Sequence, residues 1–208
     1  MTDEEAITVY SDYVCPFCYL GRESLERYRE STERELELDW HPFDLRAQKR
    51  KPNGEIDHTV DDGKDETYYE EARKNVERLS EKYEVKMLGL DELPENIDSF
   101  DAQAVSLYVK EKHPEHWETF DEAVFDALWV DGRDIGDAGV LADIADDVGL
   151  DADEIRDALE DEELRKSLRR RFLNAQEDGI TGVPTFVHGE HFCRGAVPPE
   201  QLRRLVEG

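Results

Sequence analysis

Two cysteines separated by two residues constrain this chain more than any other feature. Cys15 and Cys18 follow a short apolar, β-branched run at residues 7–10 and precede a stretch of helical periodicity at residues 19–29. Pro16 suits the first turn of that helix, because proline lacks the backbone N–H that a first turn leaves unpaired. A Cys-x-x-Cys pair between a strand and a helix is typical of redox-active α/β proteins.

The start of a helix favours a reactive thiolate at Cys15. The first turn of a helix has unpaired N–H groups and a partial positive charge, and both stabilise a negatively charged sulfur. The spacing then lets Cys18 attack a mixed disulfide at Cys15 through a small ring. We therefore predict that Cys15 is the nucleophile and that Cys18 is the resolving thiol.

A metal site and an inert buried pair are the alternatives for these two cysteines. A structural zinc site usually has four ligands, and the other candidates by type are His188, His191 and Cys193, about 170 residues away. On a hairpin those side chains would not all converge, so we predict redox chemistry and no metal. Cys193 is predicted to be a packed, unreactive thiol, with a regulatory or intermolecular disulfide as the alternative.

The remaining periodicities predict a fold of few strands and many helices. Apolar and acidic residues alternate at 36–40, which predicts a second strand that Pro42 ends. Two short runs within residues 185–193 predict a β-hairpin, and Pro198–Pro199 opens a last helix. Helices are predicted at about 67–84, 101–112, 115–130, 137–148, 152–160 and 161–178.

The order of these elements is β-α-β, a long helical stretch and then β-β-α. Such an order predicts an α/β class, in which a small sheet unit carries a large all-helical insertion. We assign residues 1–44 and 179–208 to the sheet unit and about 45–178 to the insertion, which we call the helical block. The helix at about 161–178 is predicted to pack on the sheet unit.

The charge of the chain excludes some classes of partner. With 53 acidic and 26 basic residues among 208, the formal net charge is −27. Nucleic acid is excluded because its binding needs a positive surface. No apolar run approaches the length of a membrane span, and residues 1–5 lack the pattern of a secretory signal, so we expect a cytoplasmic protein without membrane contact. An acidic, lysine-poor composition favours a halophilic source over an ordinary acidic protein.

One segment of the chain departs from this acidity. Arg46, Lys49, Arg50 and Lys51 form a small basic cluster, and residues 52–54 are predicted to form a turn.

Three sequence blocks together carry a resemblance to a known family. These blocks are residues 11–21, which contain Cys15-Pro16-Phe17-Cys18, then Pro42–Phe43, and finally residues 182–187 with Gly195, Ala196 and Pro199. They resemble the DsbA family of thiol–disulfide oxidoreductases, which have a thioredoxin-like fold, and they are most similar to its cytosolic FrnE-like branch. The resemblance extends over essentially the whole chain.

The resemblance implies a thiol–disulfide exchange enzyme without a bound cofactor. By the same resemblance, Pro184 is the family's cis-proline, and the backbone of Val183 pairs with an extended client segment. Pro16 and Phe17 support the site between the two cysteines. The periplasmic oxidants of the family have histidine where this chain has Phe17, so we expect a less oxidising potential here. The expected partners are proteins or small molecules that carry thiols or disulfides, whereas the oligomeric state is left open.

Two alternatives come from other functional classes. Glutathione-dependent isomerases or transferases of the same superfamily would use glutathione as a co-substrate, but they usually have serine where this chain has Cys15. A non-catalytic chaperone or binding module would use the helical block to hold clients.

Several side chains near the cysteines are open to two interpretations. Asp12 is a proton acceptor or, as we favour, a surface or capping carboxylate. Tyr13, Phe17 and Tyr19 form either an apolar collar for clients or helix–sheet packing, and packing is favoured for the two tyrosines.

Overall fold

The computed structural model covers the 208 residues of the chain and describes residues 6–32, 34, 36–51, 54–61 and 63–208. The predicted turn at 52–54 falls partly on Pro52 and Asn53, which lie outside the described residues. The strands are β1 (Ala6–Ser11), β2 (Glu37–Pro42), β3 (Thr185–His188) and β4 (His191–Arg194). The helices are α1 (Pro16–Ser31), α2 (Glu66–Tyr83), α3 (Phe100–Lys112), α4 (Pro114–Trp129), α5 (Ala138–Asp147), α6 (Ala152–Leu159), α7 (Glu162–Glu177) and α8 (Pro199–Glu207).

The four strands form one mixed sheet in the order β2-β1-β3-β4. β1 and β2 are parallel, and Ser11 pairs with Pro42 at their carboxyl ends, whereas β3 is antiparallel to both β1 and β4. The predicted second strand and hairpin are thereby confirmed. Because parallel strands end at the same edge, this edge brings together the segments that follow β1 and β2, and the first of these contains Cys15.

Two apolar cores meet at α1. One core packs α1 and α8 on one face of the sheet, through side chains that include Ile7, Leu25, Phe186 and Leu202. The other core fills the helical block and includes both Cys15 and Cys18. The cysteines therefore lie where the sheet unit meets the helical block. α7 contacts both β2 and α3, so it lies between the same two parts of the molecule.

Some of the acidic residues stabilise the N-terminal ends of helices. Asp151 begins α6, and its carboxylate accepts the backbone N–H groups of Asp153 and Glu154. The same arrangement precedes α5 and α7, at Asp137 and Asp161, and at the start of α2 the carboxylate of Asp65 accepts the single N–H of Tyr68. An aspartate at this position pairs N–H groups that the helix itself leaves free and interacts favourably with the helix dipole.

The helices described within residues 6–208 include none that is both long and apolar enough to cross a membrane.

Candidate active site

The turn between β1 and α1 places Cys15 at the start of the helix. The N–H of Cys15 donates to the carbonyl of Asp12 at 3.1 Å, and the N–H of Cys18 donates to the carbonyl of Cys15 at 2.9 Å. Cys15 has extended backbone angles and is the N-cap of α1, and no side chain caps that end. The sulfur therefore lies beside the positive end of the helix, as expected for a nucleophilic thiol.

The loop before β3 faces this sulfur. The Sγ of Cys15 donates to the carbonyl oxygen of Val183 at 3.7 Å, although 168 residues separate the two in the chain. The Val183–Pro184 peptide bond is cis, and Pro184 is buried. The structure thus brings together Cys15, Val183 and Pro184, which the resemblance had linked. We refer to residues 182–184 as the Pro184 loop.

Gly21 makes the close approach of the Pro184 loop to α1 possible. A Cβ atom at Gly21 would lie 3.0 Å from the Cγ of Pro184 and 3.1 Å from the Cζ of Phe186. Any side chain there would push against both rings, so glycine is needed for this contact. Gly21 belongs to a block that carries the family resemblance, but the sequence alone does not indicate this role, because the contact joins distant segments.

Burial differs little between the two cysteines, yet their chemistry is not equivalent. Cys15 is 4% exposed and Cys18 is 1% exposed, and both are free thiols in this structure. Burial raises the pKa of Cys18 well above its usual value, and a hydrogen bond to the Cys15 sulfur and the charge on that sulfur raise it further. Cys18 therefore keeps its proton more firmly than a free thiol does, which suits a resolving thiol that acts second.

Asp12 is fully buried, and this corrects the expectation of a surface carboxylate. Its two oxygens accept the N–H of Val14 at 3.2 Å, the N–H of Leu45 at 2.8 Å and the hydroxyl of Ser99 at 2.5 Å. Burial raises the pKa of Asp12 to about 6, even though these donors lower it. The carboxylate does cap the turn before Cys15, but it also holds that turn to the helical block. Ser99 belongs to no motif, so the sequence alone did not indicate this contact.

Tyr13 holds the same turn through a second buried carboxylate. Its hydroxyl donates to Asp121 at 2.8 Å and shares a hydrogen bond of 2.8 Å with the hydroxyl of Ser106. The Nε of Arg22 donates to the other oxygen of Asp121 at 3.2 Å, and the indole N–H of Trp129 donates to the Tyr13 carbonyl at 2.8 Å. Every residue of this network lies in α1, α3, α4 or the turn itself.

The aromatic side chains around the cysteines mostly pack inside the protein. Tyr13 and Tyr19 are 1% and 4% exposed, and the Tyr19 ring stacks on that of Trp129 with 6.5 Å between ring centres. Packing is therefore confirmed for both tyrosines, and neither forms a collar for clients. Phe17 is half-buried against the core of the helical block.

Cys193 lies apart from the other two cysteines. It is buried on β4 opposite Phe186, and burial raises its pKa to about 11. The predicted packed thiol is confirmed. The described parts of the chain contain no group of three or more His, Cys, Asp or Glu side chains that could hold a metal ion.

Comparison with known proteins gives the family. A model of the DsbA-like thioredoxin domain matches residues 6–207. The chain belongs to this family. The DsbA-like chain is 29% identical over 201 residues to the uncharacterized protein YwbO of Bacillus subtilis (strain 168), with 96% of this chain and 94% of that protein covered. The predicted thioredoxin-like fold with a helical insertion is thereby confirmed.

Two further relatives of the DsbA-like chain have named activities. It is 24% identical over 186 residues to 2-hydroxychromene-2-carboxylate isomerase of Sphingobium xenophagum, with 86% of this chain and 87% of the isomerase covered. Its structure is similar to that of cytosolic disulfide reductase DsbM from Pseudomonas aeruginosa with GSH. The TM-score is 0.64 at 17% identity, and 97% of this chain and 93% of DsbM are covered. The proteins that it resembles therefore include both a disulfide reductase and an isomerase.

Proposed function

We propose that this DsbA-like protein is a thiol–disulfide oxidoreductase that works through the dithiol of Cys15 and Cys18. One observation carries the proposal. The sulfur of Cys15 lies at the uncapped start of α1 and 3.7 Å from the Val183 carbonyl, beside a cis Val183–Pro184 bond. A packed structural thiol would need neither a helix N-terminus nor this loop.

The reaction proceeds in two exchange steps. The Cys15 thiolate attacks one sulfur of a client disulfide, which forms a mixed disulfide and releases one client thiolate. Cys18 then loses its proton and attacks the Cys15 sulfur, which forms the Cys15–Cys18 disulfide and releases the second client thiolate. Two electrons pass from the protein to the client, and the same steps in reverse oxidise a client dithiol.

Each remaining residue of the predicted site has a part in this proposal. Val183 and Pro184 receive an extended client segment, whose backbone pairs with that of Val183. Pro16 starts α1 without an N–H to satisfy, and Phe17 gives the site a half-buried apolar surface. The two sulfurs carry the redox equivalents, so the proposal includes no bound cofactor. Clients are proteins or small molecules that carry thiols or disulfides, and we place the reaction in the cytoplasm.

Three cysteine variants test this function. Cys15→Ser is expected to abolish disulfide reduction, because serine is a far weaker nucleophile. Cys18→Ser is expected to accumulate mixed disulfides that mass spectrometry detects on Cys15. Cys193→Ser is the matched control and is expected to retain the wild-type rate, because that thiol lies outside the site. Disulfide reduction by Cys15→Ser at the wild-type rate would refute the proposal.

A glutathione-dependent reaction is the second candidate. The solved complex of DsbM with GSH and the similarity to 2-hydroxychromene-2-carboxylate isomerase favour it. It requires glutathione as a co-substrate but does not require a resolving thiol. The Cys18→Ser variant therefore separates the candidates, since it would keep its glutathione-dependent turnover in the second case and stop at the mixed disulfide in the first.

A further inference from the structure

The positive charge of this acidic chain is concentrated in two short segments. Residues 44–51 and 165–171 contain nine of the 26 Lys and Arg residues but only one of the 53 acidic residues. The first segment follows β2, and the second lies within α7. We call the surface formed by these two segments the basic face.

The fold brings the two segments together around one aromatic ring. Phe100, at the start of α3, is 3% exposed. The guanidinium carbons of Arg50, Arg165 and Arg169 lie 5.1, 4.7 and 5.1 Å from the centre of its ring. The two segments of the basic face are therefore neighbours at Phe100, although more than a hundred residues separate them in the chain.

Carboxylates neutralise only part of this charge. Arg50 pairs with Asp44 at 2.6 Å and with Asp98 at 2.8 Å. Four other cations of the two segments also have a carboxylate partner: Lys51 with Asp57, Arg165 with Asp101, Lys166 with Glu163 and Arg171 with Glu111. Arg46 and Arg169 have no carboxylate within ion-pair distance among residues 6–32, 34, 36–51, 54–61 and 63–208. Arg46 donates instead to the carbonyl of Ile97, and Arg169 stacks on the ring that it shares with two other arginines.

The basic face adjoins the end of the sheet that carries Cys15. Leu45, next to Arg46, donates its N–H to the carboxylate of Asp12, and Asp12 lies in the turn before Cys15. The hydroxyl of Ser99, next to Phe100, binds the same carboxylate. The first segment thus contacts the turn that holds the nucleophile, and the second reaches it through Phe100, whose neighbour Ser99 binds the turn. A client disulfide at Cys15 would therefore place its flanking residues toward the basic face.

We propose that the basic face selects clients in which acidic residues flank the disulfide. This proposal rests on the exchange function proposed above. Charges more than about 10 Å away are largely screened at an ionic strength of 0.1 M, so the nearby arginines act on a client more strongly than the distant acidic surface does. The net charge of −27 alone would give the opposite preference, for basic clients.

The probes are three disulfide-linked peptide dimers that differ only in charge. Their monomers are N-acetyl-Glu-Glu-Cys amide, N-acetyl-Gln-Gln-Cys amide and N-acetyl-Lys-Lys-Cys amide. Pre-reduced protein is mixed with an excess of one dimer at 0.1 M salt, and the rate of Cys15–Cys18 oxidation is followed by thiol alkylation and mass spectrometry. Each turnover uses the two electrons of the protein dithiol and releases two peptide thiols, so no further reductant enters the measurement.

The acidic dimer is expected to react fastest and the basic dimer slowest. Electrostatic steering changes association rates by about ten-fold or more, and we expect about ten-fold between the two charged dimers. The double variant Arg46→Gln/Arg169→Gln is expected to lose most of this difference while it keeps the rate with the neutral dimer. Arg73→Gln/Arg156→Gln is the matched control, since it removes the same two positive charges from α2 and α6, where Arg73 pairs with Glu66 and Arg156 pairs with Asp153.

The outcomes separate this proposal from the one on which it rests. If none of the three dimers oxidises the protein, the exchange function itself is wrong. If all three react but at equal rates, or if the basic dimer reacts fastest, the exchange function stands and the selection of acidic clients is refuted. An equal loss of rate with all three dimers in the double variant would show damage to the site and would also refute selection by charge.

Discussion

Two buried carboxylates hold the turn before Cys15, and the protein balances their negative charges in different ways. Asp121 binds the guanidinium of Arg22 and the hydroxyl of Tyr13, so a cation balances its charge. Asp12 accepts two backbone N–H groups and the hydroxyl of Ser99, so only dipoles balance its charge. Burial raises the pKa of both, but Arg22 lowers that of Asp121 again.

The difference separates two means of positioning a nucleophile. The pair of Asp121 and Arg22 connects α4 to α1, and its stability depends on keeping both partners. The contacts of Asp12 connect the turn to α3 and to the segment after β2, and their strength depends on pH, because nothing but oriented dipoles opposes protonation. Removing a partner should therefore lower the free energy of unfolding most at Asp121. Changing the pH should alter it most at Asp12.

The largest expected effect is on stability, in Arg22→Met. The side chains of Arg22 and Asp121 are 11% and 6% exposed, so this variant leaves a buried carboxylate without its cation. We expect the free energy of unfolding to fall by about 3–5 kcal/mol, as measured by urea denaturation. Arg29→Met on the same helix is the control, and the loss of its more exposed ion pair with Glu118 should cost about 1 kcal/mol or less.

The double variant Arg22→Met/Asp121→Leu checks the cause of this loss. Removing both charges takes away the unpaired carboxylate, so the double variant should be more stable than Arg22→Met alone. If it is less stable than the single variant, packing and not charge explains the result.

A smaller effect, visible only as a pH dependence, is expected in Asp12→Asn. The folded protein holds a proton on Asp12 up to about pH 6, whereas the unfolded chain releases it near its ordinary value of 3.8. The folded state binds more protons between these values, so this carboxyl makes stability fall as the pH rises from about 4 to 6. The shift of about two pKa units corresponds to about 3 kcal/mol.

Urea denaturation at several pH values between 4 and 7 measures this contribution. The difference in unfolding free energy between wild type and Asp12→Asn should change by that amount in the stated direction. Asp153→Asn is the control for the loss of one carboxylate from the surface, because the Asp153 side chain is 92% exposed. A profile of Asp12→Asn parallel to that of wild type would show that burial does not raise the pKa of Asp12.

The smallest expected effect on stability concerns the contact between α1 and the Pro184 loop. Gly21→Ala places a methyl group 3.0 Å from Pro184, and overpacking of this kind costs about 1–3 kcal/mol. Alanine is also the better helix former by about 1 kcal/mol, so the net loss of stability should be about 1 kcal/mol. Exchange should slow as well, because the Pro184 loop moves away from Cys15.

Gly182→Ala is the matched control for that variant. Gly182 belongs to the same loop, but a Cβ atom there would meet no atom within 4 Å. Its stability and exchange rate should be close to those of wild type. If Gly21→Ala exchanges disulfides as fast as Gly182→Ala, the close approach of α1 and the Pro184 loop is not needed for the reaction.

The strands, the helices and the order of the two cysteines could be predicted from local patterns in the sequence. A strand, a Cys-x-x-Cys pair and a proline at the start of a helix are neighbours in the chain, so propensity and spacing were enough to predict β1, α1 and the order of the two cysteines. The order of the remaining elements followed from hydrophobic periodicity, which depends on residues two positions apart in strands and three or four apart in helices. Even the packed state of Cys193 followed from the usual burial of this residue type.

The resemblance had already linked Cys15 to Val183 and Pro184, but the tertiary structure decided the other contacts between distant segments. Asp12 was expected near the surface, because no local pattern shows that Ser99 and Leu45 meet it in the interior. The partners of Tyr13, the need for glycine at position 21 and the joining of two basic segments around Phe100 are equally invisible along the chain. Each depends on contacts between residues dozens to more than a hundred positions apart, and only the packing of the helical block against the sheet unit creates them.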